Sequence, residues 1–282
     1  MAAICDVCFR KCTLEAGQTG VCGARISVDG EKVTLANHSL LTSIALDPIE
    51  KKPLNRFFPG SMILSVGSFG CNLKCPFCQN VEISMADGRK APRTEYFSPQ
   101  ILAELAAKYQ KDGNIGIAFT YNEPLVGYEF VAETEKLVRE KKLRTVLVTN
   151  GCVTDRVADT VLPLTDALNI DLKSFSPDYY REVLKGDLDM VRSFIVRAVS
   201  CCHVELTQLI IPGENDSEEE MLQLSAWVGK LEQRFDKKIP LHVTRFFPMS
   251  RYAERMPTPV ETIYRLADVA RRNLQFVYEG NV

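Results

Sequence analysis

From residue 62 onward the chain repeats one pattern: a short apolar run, a polar loop, then an amphipathic stretch of helical length. The apolar runs read "MILSVGS", "IGIAFT", "RTVLVT", "ALNIDL", "VELTQLII" and "PLHVTRFF". Near-continuous apolar strands alternating with helices require a parallel sheet covered on its outer face. Six such units fall short of the eight that close a full barrel. The pattern therefore predicts an α/β fold, a partial (β/α)6 TIM-like barrel, with its chemistry at the C-terminal ends of the strands. Helix starts support the reading. Ser98-Pro99 and Ser176-Pro177 each place an N-cap before a proline at the first helical position. Ser217 with Glu220, and Thr258 with Glu261, read as capping boxes. Met221, Leu224, Val228, Leu231 and Phe235 then form one buried stripe.

Residues 1–60 differ in character from residues 61–282. They hold Cys5, Cys8, Cys12 and Cys22, then a hairpin, "RISVDGEKVTLAN", that turns at Asp29-Gly30. The stretch "LDPIEKKPLNRFFPG" reads as a link into the barrel.

Composition narrows the function classes. The 282 residues suffice for one large domain or two small ones, and 46% hydrophobic with 25% charged residues is ordinary for a soluble globular chain. A formal net charge of −2 offers no basic face for nucleic acid. No apolar run approaches the ~20 residues that span a bilayer. The start, "MAAICDVCFRKC", lacks the apolar core of a secretory signal, so a cytosolic protein is expected. Ten cysteines in a reducing compartment point to metal ligation rather than disulfides.

The segment "GCNLKCPFCQN" sets Cys71, Cys75 and Cys78 in one loop just after the first barrel strand. Soft thiolates select iron–sulfur clusters, zinc or copper(I). Three thiolates are one short of a closed site, and on a [4Fe–4S] cube they leave one iron open to a substrate or cofactor. A half-built zinc site or a chance group of core thiols is the plainer alternative. The polar neighbours Asn72, Lys74, Gln79 and Asn80 speak against core.

These residues resemble the radical S-adenosylmethionine enzymes, whose motif has this C-x3-C-x2-C spacing with an aromatic, here Phe77, before the last cysteine. "DPIEKKPL", "GCNLKCPFCQN", "TYNEP", "VTNG", "DLK", "IPGEND" and "RFFP" resemble, in order, the group of pyruvate formate-lyase activating enzymes, and most closely the AmmeMemoRadiSam radical enzymes. The resemblance implies a [4Fe–4S] cluster on Cys71, Cys75 and Cys78, and S-adenosylmethionine as cofactor. It implies cofactor contacts from Phe77, Gln79, Asn122, Glu123, Thr149, Asn150, Asp171, Lys173, Ser174, Ile211, Asn215, Arg245 and Phe247, with His242 reaching toward a carboxylate. Tyr121 and Asn122 stand where the activating enzymes carry glycines, and Val148 replaces an aspartate, so no cation site is carried over. A flavodoxin- or ferredoxin-type electron donor is implied as partner, and the substrate is a protein or a small molecule. Glycyl-radical formation and other modifications both remain open. So does the contrasting reading, a cysteine-rich electron-transfer or redox-sensing protein without turnover.

Cys5, Cys8, Cys12 and Cys22 follow C-x2-C-x3-C-x9-C, enough for a closed tetrahedral Zn²⁺ site, with a second iron–sulfur cluster as the rival. Cys152, Cys201 and Cys202 read as packing residues.

Overall fold

The computed structural model describes residues 1–86 and 92–282. An eight-stranded sheet organises it: β1 (Ser43–Pro48), β2 (Met62–Gly67), β3 (Asn114–Phe119), β4 (Arg144–Thr149), β5 (Ala167–Asp171), β6 (His203–Ile210), β7 (Leu241–Arg245) and β8 (Val277–Gly280). Spatial order equals chain order, β1 to β8. Strands β2 to β8 are parallel throughout, and β1 alone is antiparallel, with Ser43 opposite Gly67 and Pro48 opposite Met62.

All six predicted strands are present, and the fold is a partial barrel. Two edge strands were not foreseen. β8 extends the parallel set, and β1 runs into the first three residues, Leu46 to Pro48, of the stretch expected as a link. The remainder of that stretch is no tether either. Ile49, Leu54 and Phe57 are buried against Ile63, Ala118, Val146 and Ala167, closing the N-terminal end of the barrel. Polar groups fasten this plug: Asn169 donates to the Pro53 carbonyl (2.8 Å), and Glu205 accepts from the amides of Asn55 and Arg56 (3.0 and 2.7 Å).

Helices α1 (Pro99–Lys108), α2 (Tyr128–Glu140), α3 (Asp155–Val161), α4 (Leu188–Cys201), α5 (Glu218–Phe235) and α6 (Val260–Arg271) alternate with the strands. Their starts follow the expected caps in part. Ser98 accepts from the Ile101 amide and Ser217 from the Glu220 amide. The box at Ser217 is only half built, because the Glu220 carboxylate turns away to Ser174 Oγ and the Phe175 amide. Thr258 does not cap α6. Its hydroxyl donates to Ile210 O and accepts from the Phe246 amide, and Pro259 precedes the helix instead. The hairpin pairs Arg25–Ser27 with Val33–Leu35. Among the described residues no helix is long and apolar enough to cross a membrane.

Candidate functional site

Side chains alternate across a strand, so β5, β6 and β7 send Asp171, Thr207, Leu209, His242 and Thr244 to the barrel interior. There they line a cavity of about 720 Å³, within the ~300–1,000 Å³ usual for small-molecule sites. The three cysteines Cys71, Cys75 and Cys78 stand on its wall with Phe77, Gln79, Asn122, Glu123, Thr149, Asn150 and Lys173. Residues from both sheet edges also reach it, Pro48 and Lys51 on one side and Glu279 to Asn281 on the other.

Chain geometry holds the cysteine loop open toward this cavity. Gly70 has φ +95°, and a Cβ there would meet the Cys22 carbonyl oxygen at 2.6 Å and Ala24 Cβ at 2.9 Å. The Cys71 amide donates to that same Cys22 oxygen (3.0 Å). Asn72 donates to the Cys152 carbonyl (2.7 Å) and accepts from Asn150 Nδ2 (2.9 Å), which also points at Cys71 Sγ (3.7 Å).

Electrostatics set the state of these groups. Burial, then the negative charges of Glu123 and Cys75, pushes the Cys71 thiol well above its ordinary pKa; burial pushes Cys75 to about 11. As free thiols they stay protonated at neutral pH, and only a strongly cationic group makes three adjacent thiolates stable. That donor chemistry fits an iron–sulfur cluster. Glu123 is buried and accepts from Thr149 Oγ1 (2.6 Å), the Asn150 amide (2.7 Å) and the Leu125 amide (3.0 Å). Burial outweighs these donors and raises its pKa to about 7. Lys173 shows the reverse balance: burial disfavours its ammonium, but Asp171 at 2.9 Å holds it protonated.

Five expected residues stand outside the cavity lining. Ser174 Oγ donates to Glu220. Asn215 spends both ends locally, accepting from the Ile211 amide and donating to the Lys173 and Leu209 carbonyls. Ile211 is fully buried. Arg245 donates to Thr258 O and lies 4.8 Å over the Phe247 ring. His242 does line the cavity, with Nε2 on Glu205 (2.7 Å).

Sequence reasoning missed one group at the mouth. Asp47 accepts from Lys51 (3.1 Å), the buried Lys52 (2.9 Å) and the Tyr121 hydroxyl (3.0 Å). Burial works against the Asp47 carboxylate, yet the two lysines hold its pKa below the usual range. Tyr121 sits at φ +74°, and Gly67 makes room for its ring, since a Cβ there would lie 2.7 Å from Tyr121 Cδ2. An acid followed four and five residues later by lysines was the available signal.

The four N-terminal cysteines gather behind the loop. Burial raises the Cys8 thiol to about 11, with the charges of Cys22, Cys5 and Cys12 adding to it, and the Cys5 amide donates to Cys12 O (2.8 Å). Among the described residues, however, no three His, Cys, Asp or Glu side chains surround a single-ion position. The same holds at Cys71, Cys75 and Cys78, so this does not separate the two cysteine groups.

A profile described as the Radical SAM superfamily matches residues 65–225, more than half of the chain. An uncharacterised protein of Methanocaldococcus jannaschii is 35% identical over 280 residues, covering 99% of this chain and 81% of that one. GTP 3′,8-cyclase of Pseudomonas syringae pv. syringae is 30% identical over 181 residues, covering 61% of this chain and 52% of its own length. The pyruvate formate-lyase-activating enzyme of Clostridium pasteurianum is 27% identical over 162 residues, 55% of this chain and 65% of that one. The chain thus spans less than two thirds of the cyclase and of the activating enzyme. In fold it is similar to SuiB of Streptococcus suis bound to S-adenosylmethionine, with TM-score 0.58, 12% identity, and coverage of 78% of this chain and 52% of that one.

Proposed function

The chain belongs to the radical SAM superfamily, and from that premise we propose that it is an enzyme that cleaves S-adenosylmethionine reductively and takes hydrogen from a substrate. One observation carries the reading: the thiols of Cys71, Cys75 and Cys78 share a single cavity wall with Glu123 and Lys173, which lie just beyond strand ends. Cys71, Cys75 and Cys78 would hold a [4Fe–4S] cluster and leave one iron for the amino and carboxylate groups of the cofactor. Such a cluster would supply the single electron that reductive cleavage of the cofactor's sulfonium requires.

The chain's own residues do the rest by charge and shape. Lys173 stays protonated and suits a carboxylate. Glu123, with a pKa of about 7, gains most from a neighbouring cation, because an ammonium favours its ionised form. Phe77, 3% exposed, gives a flat apolar wall for a purine. Asp171 holds Lys173 and faces the same space, while Gln79, Asn122, Thr149 and Asn150 offer polar edges. Asn215 acts at one remove, through the Lys173 carbonyl; Ser174, Ile211, Arg245 and Phe247 support the strand ends.

For the substrate we propose a protein segment, activating-enzyme fashion. The cavity meets both sheet edges, so it opens along the gap between β1 and β8, where an extended chain can enter. One relative is named for GTP instead, and competition by GTP against the reaction would favour that alternative. A cytosolic setting, which keeps ten thiols reduced, suits such chemistry. A second metal at Cys5, Cys8, Cys12 and Cys22, zinc or cluster, is supported by their spacing and crowding alone.

Anaerobic reconstitution followed by dithionite reduction should release 5′-deoxyadenosine from S-adenosylmethionine. The variant with Cys71, Cys75 and Cys78 changed to alanine should release none and should lose about four irons. Zinc retained by that variant assigns the N-terminal site to zinc, and retained iron assigns it to a cluster. An intact cluster without nucleoside release would instead favour an electron carrier.

A further inference from the structure

A second cavity, of about 780 Å³, lies on the outer side of the cysteine loop. Cys75 lines both this cavity and the central one, so its side chain is part of the wall between them. The outer floor is apolar, from Pro76, Val81, Met85, Val183 and Tyr252. The rim is cationic. Lys74, Lys185 and Arg251 stand on it with a single carboxylate, Glu182, which already accepts from Arg181 Nε at 2.9 Å.

Among the described residues none of the three rim cations has a carboxylate partner. Lys74 Nζ reaches Met85 Sδ (3.5 Å), and the Arg251 guanidinium donates to Lys74 O (2.8 Å). Arg10 adds a fourth cation, fixed by donation to Asn72 O and to Lys185 O. On a chain with net charge −2 this is a local excess of positive charge, placed beside Cys75.

We propose that this groove docks an acidic one-electron carrier protein, and that electrons enter through the Cys75 wall. The inference rests on the proposed function, since only a redox group behind Cys75 has need of such a donor. The transfer is one electron out of the carrier and one into the thiolate-bound group, with no bond made or broken. An apolar floor ringed by unpaired charge is the build of a transient interface, where charge sets encounter rate and orientation more than lifetime. Docking on the outer face also leaves the central cavity free for cofactor and substrate, so both partners can be present at once. A protein substrate has no use for this face, because the wall separates it from the central cavity.

The test uses the full chain and a purified flavodoxin of net negative charge as probe. Lys185→Glu reverses a rim charge whose side chain makes no hydrogen bond among the described residues; Arg251→Gln removes a second charge. Binding of oxidised flavodoxin, followed by titration at low salt without any turnover, should weaken about ten-fold or more, within the range that steering commands. The rate of cluster bleaching by reduced flavodoxin should fall similarly and depend less steeply on ionic strength, while bleaching by dithionite stays unchanged. Wild-type binding and wild-type electron transfer in both variants would overturn the proposal. Failure of the proposed function reads differently: dithionite reduces the wild-type protein but no nucleoside appears, and the flavodoxin titration still decides the groove.

Discussion

Glu135, on α2, shows how a buried group writes itself into the pH dependence of the fold. Its side chain is fully buried and accepts from Thr165 Oγ1 (2.9 Å), and burial raises its pKa from 4.5 to about 8. A carboxyl raised in the folded state contributes fully below pH ~4.5, where both states hold the proton. That contribution is lost as pH climbs toward 8, because the unfolded chain ionises first. Glu135→Gln cannot titrate. Its stability relative to wild type should therefore rise from near zero around pH 5 to a few kcal/mol around pH 8.5, read from urea midpoints. Parallel curves would mean that Glu135 is ionised in the fold. Glu135 was invisible beforehand, since its sequence neighbours read only as a helix face. Glu123, Asp171 and Lys173 were legible, each lying in a short motif at a strand end. Ser174 and Arg245 were placed with them by the family resemblance, but alternation turns them outward: Asp171 and Lys173 face in, Ser174 faces α5, and Arg245 follows the inward Thr244.

Elements with a strong period were legible, and elements defined by pairing were not. The run "RTVLVT" coincides with β4 because six apolar-rich residues between polar loops have little else to form. β8 has only four residues, Val277–Gly280, and its pairing with β7 comes from a neighbour distant in sequence rather than from its own pattern. The plug at 49–57 was mistaken for a link since Pro, Lys and Asn mark exposed turns. Here the backbone polar groups are satisfied from inside the barrel by Asn169 and Glu205. Glu205 is fully buried, and although burial opposes its charge, His203 and His242 with two amides lower its pKa to about 2. Removing the carboxylate leaves all four partners facing a void. Glu205→Ala should cost about 3–5 kcal/mol, measured as a fall in melting temperature. It should also speed hydrogen exchange at the Asn55 and Arg56 amides. Glu205→Gln, which keeps an acceptor oxygen, should lose less, and equal losses would mean that the retained oxygen holds none of the four partners.

At the scale of the molecule, the N-terminal segment and the barrel meet around the loop of Cys71, Cys75 and Cys78. Arg10 donates to Asn72 O (2.8 Å), the Thr154 amide to Val7 O (3.0 Å), and Arg25 to Val126 O (2.6 Å) while pairing with Glu129. At the centre of this joint Gly70 packs against the Cys22 carbonyl. The C-x3-C-x2-C spacing announced the three thiols, but nothing local to residues 70–80 announced that another cysteine group would be their backing. Gly70→Ala tests the joint. An alanine at φ +95° is strained, costing of order 1–3 kcal/mol, and its Cβ must also displace a backbone oxygen at 2.6 Å. Neither cost falls on the barrel core, whose helices and strands pack elsewhere. The expected outcome is therefore specific: circular dichroism and cooperative unfolding persist, while iron bound at Cys71, Cys75 and Cys78 after reconstitution falls by half or more. Full iron loading in the Gly70→Ala protein would show that the loop keeps its shape without the segment behind it, and the two cysteine groups would then have to be treated as independent.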